Sequence, residues 1–254
     1  MSGLSVVSLL AYDYRYAFRS IPSYYGIADE IIFGLDSARL SWMRNPFELD
    51  FQEVEAFIAK IDHDKKIRIV EGDFHSADHP MVNDVMERGF LAKMCVEENW
   101  VVQIDADEIL LNAVEFREWL LKTQPLEYNV CGRWIGVFKQ FGNQMLVIDP
   151  PGEQVHVATM SRAGYVSGRD TGQPGVMSPL EILHFSSARS PSEFRQKLQN
   201  WGHAKDFDTA AFFKLWENVT LENYNEIKDF HPIYGPAWHS LKAITLNLPE
   251  IVLT

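Results

Sequence analysis

The chain has 254 residues, of which 46% are hydrophobic and 13% aromatic, so it can bury a sizeable core as one large α/β domain or two small ones. The formal net charge of −12 excludes a generally basic nucleic-acid surface and disfavours DNA as a substrate, although a local basic groove stays compatible with it. Cys95 and Cys131 lie in apolar sequence without metal-ligand spacing, which indicates buried free thiols in a reduced, cytoplasmic protein.

Membrane insertion is not expected from the sequence. The apolar run at residues 4–11 is too short for a signal peptide and is soon followed by Asp13 and Arg15. No window approaches the roughly 18 apolar residues that a membrane helix needs. If the protein works at a membrane, we expect it to bind peripherally at the surface.

The first 110 residues alternate short apolar strands with helical patterns, the order typical of a doubly wound parallel sheet. Strands are predicted at residues 4–10, 30–36, 67–70 and 100–104, and helices at 17–25, 51–61 and 81–98. The chain is therefore expected to have an α/β fold with a mostly parallel sheet flanked by helices.

A different pattern follows Glu108. Gly- and Pro-rich turns separate the strands, and the loop at 167–175 is long enough to act as a lid. The predicted elements are a helix at 115–122, strands at 130–140, 145–148, 154–160 and 182–185, and a helix at 194–201 capped by Ser190 or Ser192. We expect a single domain with a nucleotide-binding half (1–110), a mixed half (111–205) and a helical extension (206–254).

The most informative motif is the apolar strand from Trp100 that ends in Asp105-Ala-Asp107-Glu108. Carboxylates at the carboxyl end of a central strand lie where an open α/β sheet binds its ligands. Asp105 and Asp107 are separated by one residue, so their side chains can share a divalent cation. A diphosphate is the ligand expected to bind such a cation. An ordinary acidic turn or helix cap is the alternative.

Four segments together resemble the GT-A glycosyltransferases, in particular their family 2-like branch. They are residues 5–13, 30–36, 87–108 and 184–197, the last reading His-Phe-Ser-Ser-Ala-Arg-Ser-Pro-Ser-Glu-Phe-Arg-Gln-Lys. The resemblance covers most of residues 4–205 and leaves the last fifty unmatched. It implies a GT-A fold and a metal-dependent transfer of sugar from a nucleotide sugar, with UDP expected as the nucleotide and inversion as the stereochemical outcome.

The resemblance also implies roles for individual residues. Asp107 would hold the metal directly, while Asp105 would reach the ribose or a metal-bound water. His184 would be a third metal ligand, with a structural histidine as its alternative, and this set suits Mn²⁺ rather better than Mg²⁺. Lys197 would contact the diphosphate. The nucleotide sugar would further be bound by Tyr12, Asp13, Asp36 and Arg88.

Three roles stay open at the sequence level. Glu108 either orients the neighbouring acids or caps the next turn. The general base that deprotonates the acceptor hydroxyl is expected to be Asp170 in the 167–175 loop or Glu181 before the last strand. The acceptor side could be lined by Trp134, Trp201 and His203, because aromatic faces suit sugar rings.

Two alternative functions are considered. The protein could be a nucleotidyltransferase acting on sugar phosphates, or a non-catalytic module that binds a nucleotide or a sugar. The first would need a glycine-rich loop after the first strand, and residues 12–16 contain no glycine. The acceptor could be a glycan, a lipid-linked glycan, a protein or a small molecule. Residues 230–254 are expected to close the acceptor site or to mediate assembly.

Overall fold

Four parallel strands form the half of the sheet that comes from the first part of the chain. The computed structural model describes residues 2–245. Strands β1 (Leu4–Leu10), β2 (Glu30–Asp36), β3 (Ile67–Gly72) and β4 (Trp100–Gln103) lie in the order β4-β1-β2-β3. Strands β1 and β4 are buried along their whole length because helices cover both faces of this half. The predicted parallel α/β arrangement is therefore confirmed here.

The second half of the sheet is mixed. After the short β5 (Glu108–Leu110) come β6 (Asn129–Phe141), β7 (Gln144–Asp149), β8 (Gln154–Thr159) and β9 (Gly175–His184). Strand β8 joins the halves by pairing antiparallel with both β4 and β6, whereas β9 runs parallel to β6 and antiparallel to β5. Parallel pairing therefore dominates only the first half, and the mixed second half agrees with the prediction.

Within residues 2–245, the helices that pack against the sheet are α1 (Arg15–Tyr24), α2 (Phe51–Ile61), α3 (Pro80–Met94), α4 (Ala113–Thr123), α5 (Pro191–Asn200) and α6 (Thr209–Asn218). Short 3₁₀ turns occur at Tyr25–Ile27 and Tyr224–Glu226. Helix α3 is shorter than predicted because Cys95 turns to an extended backbone conformation. Ser190 caps α5 in a reciprocal arrangement with Glu193, so the cap is Ser190 rather than Ser192.

The segment after residue 205 is not purely helical, which corrects the expectation of a helical extension. Strand β10 (Ser240–Thr245) pairs antiparallel with β7 at the edge of the sheet. An aromatic core that includes Phe138, Phe194 and Trp216 holds this segment against β6 and α5. Residues 246–254 lie outside the described part of the chain, so the role predicted for 230–254 concerns only 230–245 here. Within residues 2–245, no helix is long and apolar enough to cross a membrane.

Candidate active site

A cavity of about 460 Å³ opens at the carboxyl ends of the parallel strands. Leu9, Leu10 and Ala11 line it at the end of β1, and Asp105 and Asp107 line it after β4. This is where an open α/β sheet binds ligands, and the volume is ordinary for a small-molecule site. Residues from β6, β8, β9, α5 and the 231–238 segment form the opposite wall.

Two arginines neutralise Asp105. Arg88 Nη2, from α3, donates to Asp105 Oδ1 at 2.9 Å, and Arg169 Nη2, from the 167–175 loop, lies 2.7 Å from Asp105 Oδ2. Burial alone would raise the pKa of Asp105, but Arg169 and Arg88 outweigh it and hold the pKa well below the ordinary value. Asp105 is therefore ionised at neutral pH and directed toward the two guanidinium groups.

One carboxylate oxygen of Asp107 accepts hydrogen bonds from two cationic side chains, whereas the other accepts none from a side chain within residues 2–245. Arg189 Nη2 and Lys197 Nζ both donate to Oδ2, at 2.5 Å and 3.1 Å. Oδ1 lies 3.7 Å from His184 Nε2. Burial favours the neutral acid, but the charges of Lys197, His184 and Arg189 prevail and depress the pKa of Asp107. The predicted proximity of Asp107, His184 and Lys197 is thus what the structure contains.

Glu108 orients its neighbours rather than capping a turn. Its side chain is completely buried and accepts the backbone N–H of Asp105 at 2.8 Å. It also accepts the indole N–H of Trp134 at 2.6 Å and a guanidinium N–H of Arg169 at 2.9 Å. Glu108 therefore fixes both the strand end and the arginine that neutralises Asp105, which decides between the two roles left open by the sequence.

The predicted set of three metal ligands does not come together. Among residues 2–245 there is no group of three or more His, Cys, Asp or Glu side chains arranged to hold a metal ion. The reason is that Asp105 is engaged by Arg88 and Arg169. Asp107 and His184 alone fit one ion, because donors 3.7 Å apart can both lie roughly 2.1 Å from it. The ring of Trp134 stacks on His184 at 4.5 Å and fixes the imidazole plane.

Of the other residues predicted to bind the nucleotide, some line the cavity and one does not. Tyr12, Asp13 and Arg88 line the cavity, and Asp13 Oδ2 accepts from Arg189 at 2.9 Å. Asp36 is buried outside the lining and serves as a loop anchor, because its carboxylate accepts backbone N–H groups of Ala38, Leu40, Phe74 and His75. The structure thus gives Asp36 no route to a ligand.

The two predicted general bases lie in different surroundings. Asp170 lines the cavity, but its Oδ1 accepts from Asn129 Nδ2 at 2.8 Å and from the N–H of Gly172 at 2.7 Å, which locks the loop. Glu181 lies outside the lining, 3.6 Å from Arg133. Residues 181 and 184 are three positions apart on β9, so Glu181 faces away from His184.

Sequence reasoning missed several groups of the site. Arg169 has no signal in the sequence beyond its place in a long polar loop, and Arg189 has none beyond its place in the 184–197 segment. A buried pair, His75 and Glu87, lines the far end of the cavity with His75 Nε2 3.0 Å from Glu87 Oε2. Trp42 Nε1 also donates to Glu87, at 3.4 Å. His75 lies in a polar loop and Glu87 on a helix twelve residues later, so no local pattern indicates this pair.

No protein-family model matches the chain, and no curated protein matches its sequence. Its fold is similar to TarS from S. aureus, at 11% identity over 90% of this chain and 48% of that one, with a TM-score of 0.43. GalNAc-T7, crystallised with UDP, GalNAc and Mn²⁺, is 10% identical over 87% of this chain and 52% of that one, at a TM-score of 0.47. A 4-diphosphocytidyl-2C-methyl-D-erythritol synthase is 7% identical over 78% and 97% of the respective chains, at 0.41.

The chain spans about half the length of TarS and GalNAc-T7, both of which are glycosyltransferases. The third structure is a nucleotidyltransferase. These TM-scores and identities are too low for the similarity to carry a conclusion about family or activity. The mixed α/β architecture is common to this chain, TarS and GalNAc-T7.

Proposed function

We propose that the chain is a GT-A type glycosyltransferase that binds a nucleotide sugar at the donor end of the cavity. The donor end comprises the ion-paired side chains Asp13, Asp84, Arg88, Asp105, Asp107, Glu108, Arg169, Arg189 and Lys197. The observation that carries the proposal is that two cations donate to the same oxygen, Oδ2 of Asp107, beyond the carboxyl end of β4. They are Arg189, just before α5, and Lys197, on α5. Such a pair of buried cations is suited to receive the oxygens of a diphosphate.

The charge balance of the donor end favours a divalent cation together with the nucleotide. Its cationic side chains are Arg88, Arg169, Arg189 and Lys197, and its ion-paired carboxylates are Asp13, Asp84, Asp105, Asp107 and Glu108. The acids already offset the cations, so a nucleoside diphosphate would add negative charge without compensation. Asp107 Oδ1 and His184 Nε2 would hold the ion, with diphosphate oxygens and water completing its shell.

The residues of the chain then have distinct roles in the transfer. Arg189 and Lys197 would stabilise negative charge on the leaving nucleoside diphosphate, and Mn²⁺ or Mg²⁺ held by Asp107 and His184 would supply further electrostatic stabilisation there. Glu108 and Trp134 keep the donor end fixed, so these charges need little reorganisation during the reaction. UDP is the proposed nucleotide, and inversion at the anomeric centre is the proposed stereochemical outcome. Both follow from the resemblance of the sequence to the family 2-like GT-A glycosyltransferases.

The proposal is tested by calorimetric titration of UDP, GDP and CDP in the presence of Mn²⁺ or of EDTA. We expect UDP to bind with Mn²⁺ and the affinity to fall at least 10-fold in EDTA. Asp107→Asn should remove the metal dependence, whereas Glu181→Gln, a matched change of an exposed acid, should leave it intact. If no nucleoside diphosphate binds with or without metal, the proposal fails.

The nucleotidyltransferase alternative is addressed by a separate assay. Protein incubated with CTP or UTP, a panel of sugar phosphates and Mg²⁺ would release pyrophosphate if it transferred a nucleotidyl group. Under the present proposal no pyrophosphate above background is expected. Pyrophosphate release that is abolished by Asp107→Asn would favour the alternative over the glycosyltransferase.

A further inference from the structure

The wall of the cavity opposite the parallel strands is aromatic. Trp201 follows directly after α5, one turn beyond Lys197, and its ring lies edge-on to Phe207 at 5.4 Å. His231, Tyr234 and Trp238 come from the 231–238 segment, with the His231 ring 5.2 Å from Tyr234 and 4.5 Å from Trp238. All but Phe207 line the same cavity as Asp107.

The 231–238 segment is a fixed turn. His231 and Gly235 exchange two backbone hydrogen bonds, of 3.0 Å and 3.1 Å. His231 Nδ1 accepts the N–H groups of Ile233 at 3.1 Å and Tyr234 at 2.9 Å. A ring nitrogen that accepts these bonds carries no proton, so neutral His231 has its hydrogen on Nε2 and presents a donor there. Burial lowers the pKa of His231, in agreement with a neutral ring.

A carboxylate lies within this aromatic wall. Glu153 lines the cavity, and its Oε1 accepts the indole N–H of Trp238 at 2.5 Å. Its carbonyl oxygen accepts the N–H of Trp134 at 2.8 Å, and the Trp134 ring stacks on His184. Within residues 2–245 Glu153 forms no ion pair, unlike Asp105 and Asp107. Glu153 is therefore an acid that is positioned but not neutralised, next to the donor end.

We propose that Glu153, Trp201, His231, Tyr234 and Trp238 form the acceptor end of the cavity, that it binds a saccharide, and that Glu153 is the general base. The proposal rests on the glycosyltransferase function proposed above. The apolar C–H face of a pyranose packs on an aromatic ring while its hydroxyls reach polar groups at the edge. Here those groups are the Nε2–H of His231 and the free oxygen of Glu153.

The proton and electron movements balance in this arrangement. The acceptor hydroxyl gives its proton to the Glu153 carboxylate, and its oxygen forms a bond to the anomeric carbon of the donor sugar. The bond between that carbon and the diphosphate oxygen breaks, and its electron pair leaves with the nucleoside diphosphate at Arg189 and Lys197. Glu153 is restored when its proton passes to solvent.

The binding part of the proposal is tested with tetrasaccharides of β-linked glucose, β-linked N-acetylglucosamine and α-linked glucose as probes. Their binding is measured by saturation-transfer NMR and calorimetry with saturating UDP and Mn²⁺. We expect at least one to bind, and Tyr234→Ala to weaken it about 10-fold. Tyr234 is 67% exposed, so the variant is expected to fold. Tyr128→Ala removes an equally polar aromatic that is 45% exposed and not part of the lining, and it should change nothing.

The catalytic part is tested with Glu153→Gln, whose amide oxygen can still accept from Trp238. We expect UDP and saccharide to bind within 3-fold of the unaltered protein, while kcat for transfer to the bound saccharide falls at least 100-fold. The acidic limb of the pH profile of kcat should disappear as well. Glu181→Gln is the matched control and should retain both rate and pH profile.

Each outcome has one meaning. If UDP binds but none of the saccharides does, or if Tyr234→Ala leaves their affinity unchanged, the acceptor end is wrong and the donor end stands. If Glu153→Gln keeps its rate and pH profile, Glu153 is not the base. If UDP itself does not bind, the proposed function fails, and the acceptor assignment that rests on it fails with it.

Discussion

The donor and acceptor ends of the cavity are built from opposite kinds of side chain. At the donor end, buried acids and cations are paired within hydrogen-bonding distance, as at Asp107 with Arg189 and Lys197. At the acceptor end, aromatic rings and a neutral His231 surround the unpaired Glu153. Under the proposed function, the donor end would exchange existing ion pairs for a charged ligand, whereas the acceptor end would bind its ligand by shape and leave Glu153 free to accept a proton.

The largest loss of folding stability is expected when the buried ion pairs of the donor end are broken at Glu108. Glu108→Ala removes a completely buried carboxylate, so the Trp134 indole N–H loses its acceptor and Arg169 keeps, within the described part of the chain, only Asp105 as a charged partner. Removing one partner of a buried ion pair costs about 3–5 kcal/mol. We expect a loss of this size in urea unfolding, and a smaller loss for Glu108→Gln. An unchanged unfolding midpoint for Glu108→Ala would contradict the assigned role.

Substitution of Lys197 should weaken nucleotide binding at the donor end without affecting saccharide binding at the acceptor end. Lys197→Met keeps most of the side-chain stem but removes the charge that reaches Asp107. A charge-assisted contact is worth about 1.5–3 kcal/mol, so UDP should bind roughly 10- to 100-fold more weakly. Lys197→Arg should recover part of this affinity. Saccharide binding at saturating UDP should be unaffected, and an equal loss at both ends would show that they are not separate.

A smaller, pH-dependent effect is expected from His75 at the far end of the cavity. His75 Nδ1 faces the carbonyl of Leu40 and Nε2 faces Glu87, so two acceptors require a doubly protonated ring. Burial opposes the charge, but the hydrogen bond to Glu87 outweighs it and raises the pKa of His75 above its ordinary value. A raised folded-state pKa stabilises the protein below the unfolded-state pKa, about 6.5, and the stability is lost as the pH rises through the folded-state pKa.

This effect can be measured from unfolding free energies between pH 6 and 9. The decline in stability across that interval should be reduced in Glu87→Gln, which removes the charge that favours protonation. Nitrogen chemical shifts of the His75 ring give an independent measurement of its protonation. A neutral His75 at pH 6 would refute the assignment.

The smallest effect is expected at Glu181, one of the two bases suggested by the sequence. Its pair with Arg133 is 3.6 Å long and lies between side chains that are 44% and 53% exposed. Such surface pairs contribute about 0–1 kcal/mol. Glu181→Gln should therefore alter neither stability nor sugar transfer measurably. A large loss of kcat in this variant would return Glu181 to the list of candidate bases.

The parts of the fold and site predicted from the sequence are those encoded by local patterns. Strands β1 and β2 are predominantly apolar because both of their faces are buried, so their bounds follow from composition. Asp107 and His184 could be located because each stands at or just beyond a strand end. Their proximity agrees with the expectation drawn from the resemblance, although their function stays a prediction.

Other parts depend on distant contacts that no local pattern encodes. Arg169 reaches Asp105 only because the turn between Ser167 and Asp170 directs it inward. The edge position of β10 is set by its pairing with β7, about a hundred residues earlier in the chain. Glu181 is different, since the alternation of side chains along a strand already places it on the face opposite His184. That placement could have been derived from the sequence, whereas the role of Glu181 stays a prediction.

The closed turn at His231–Gly235 has a consequence for engineering. Its two backbone hydrogen bonds and the bonds accepted by His231 lie within the turn itself, so its shape does not depend on the rest of the cavity. Residues 232–234 can therefore be randomised as a cassette between fixed anchors. If the proposed function holds, selection from such a library would change the choice of acceptor and leave the nucleotide specificity as it is.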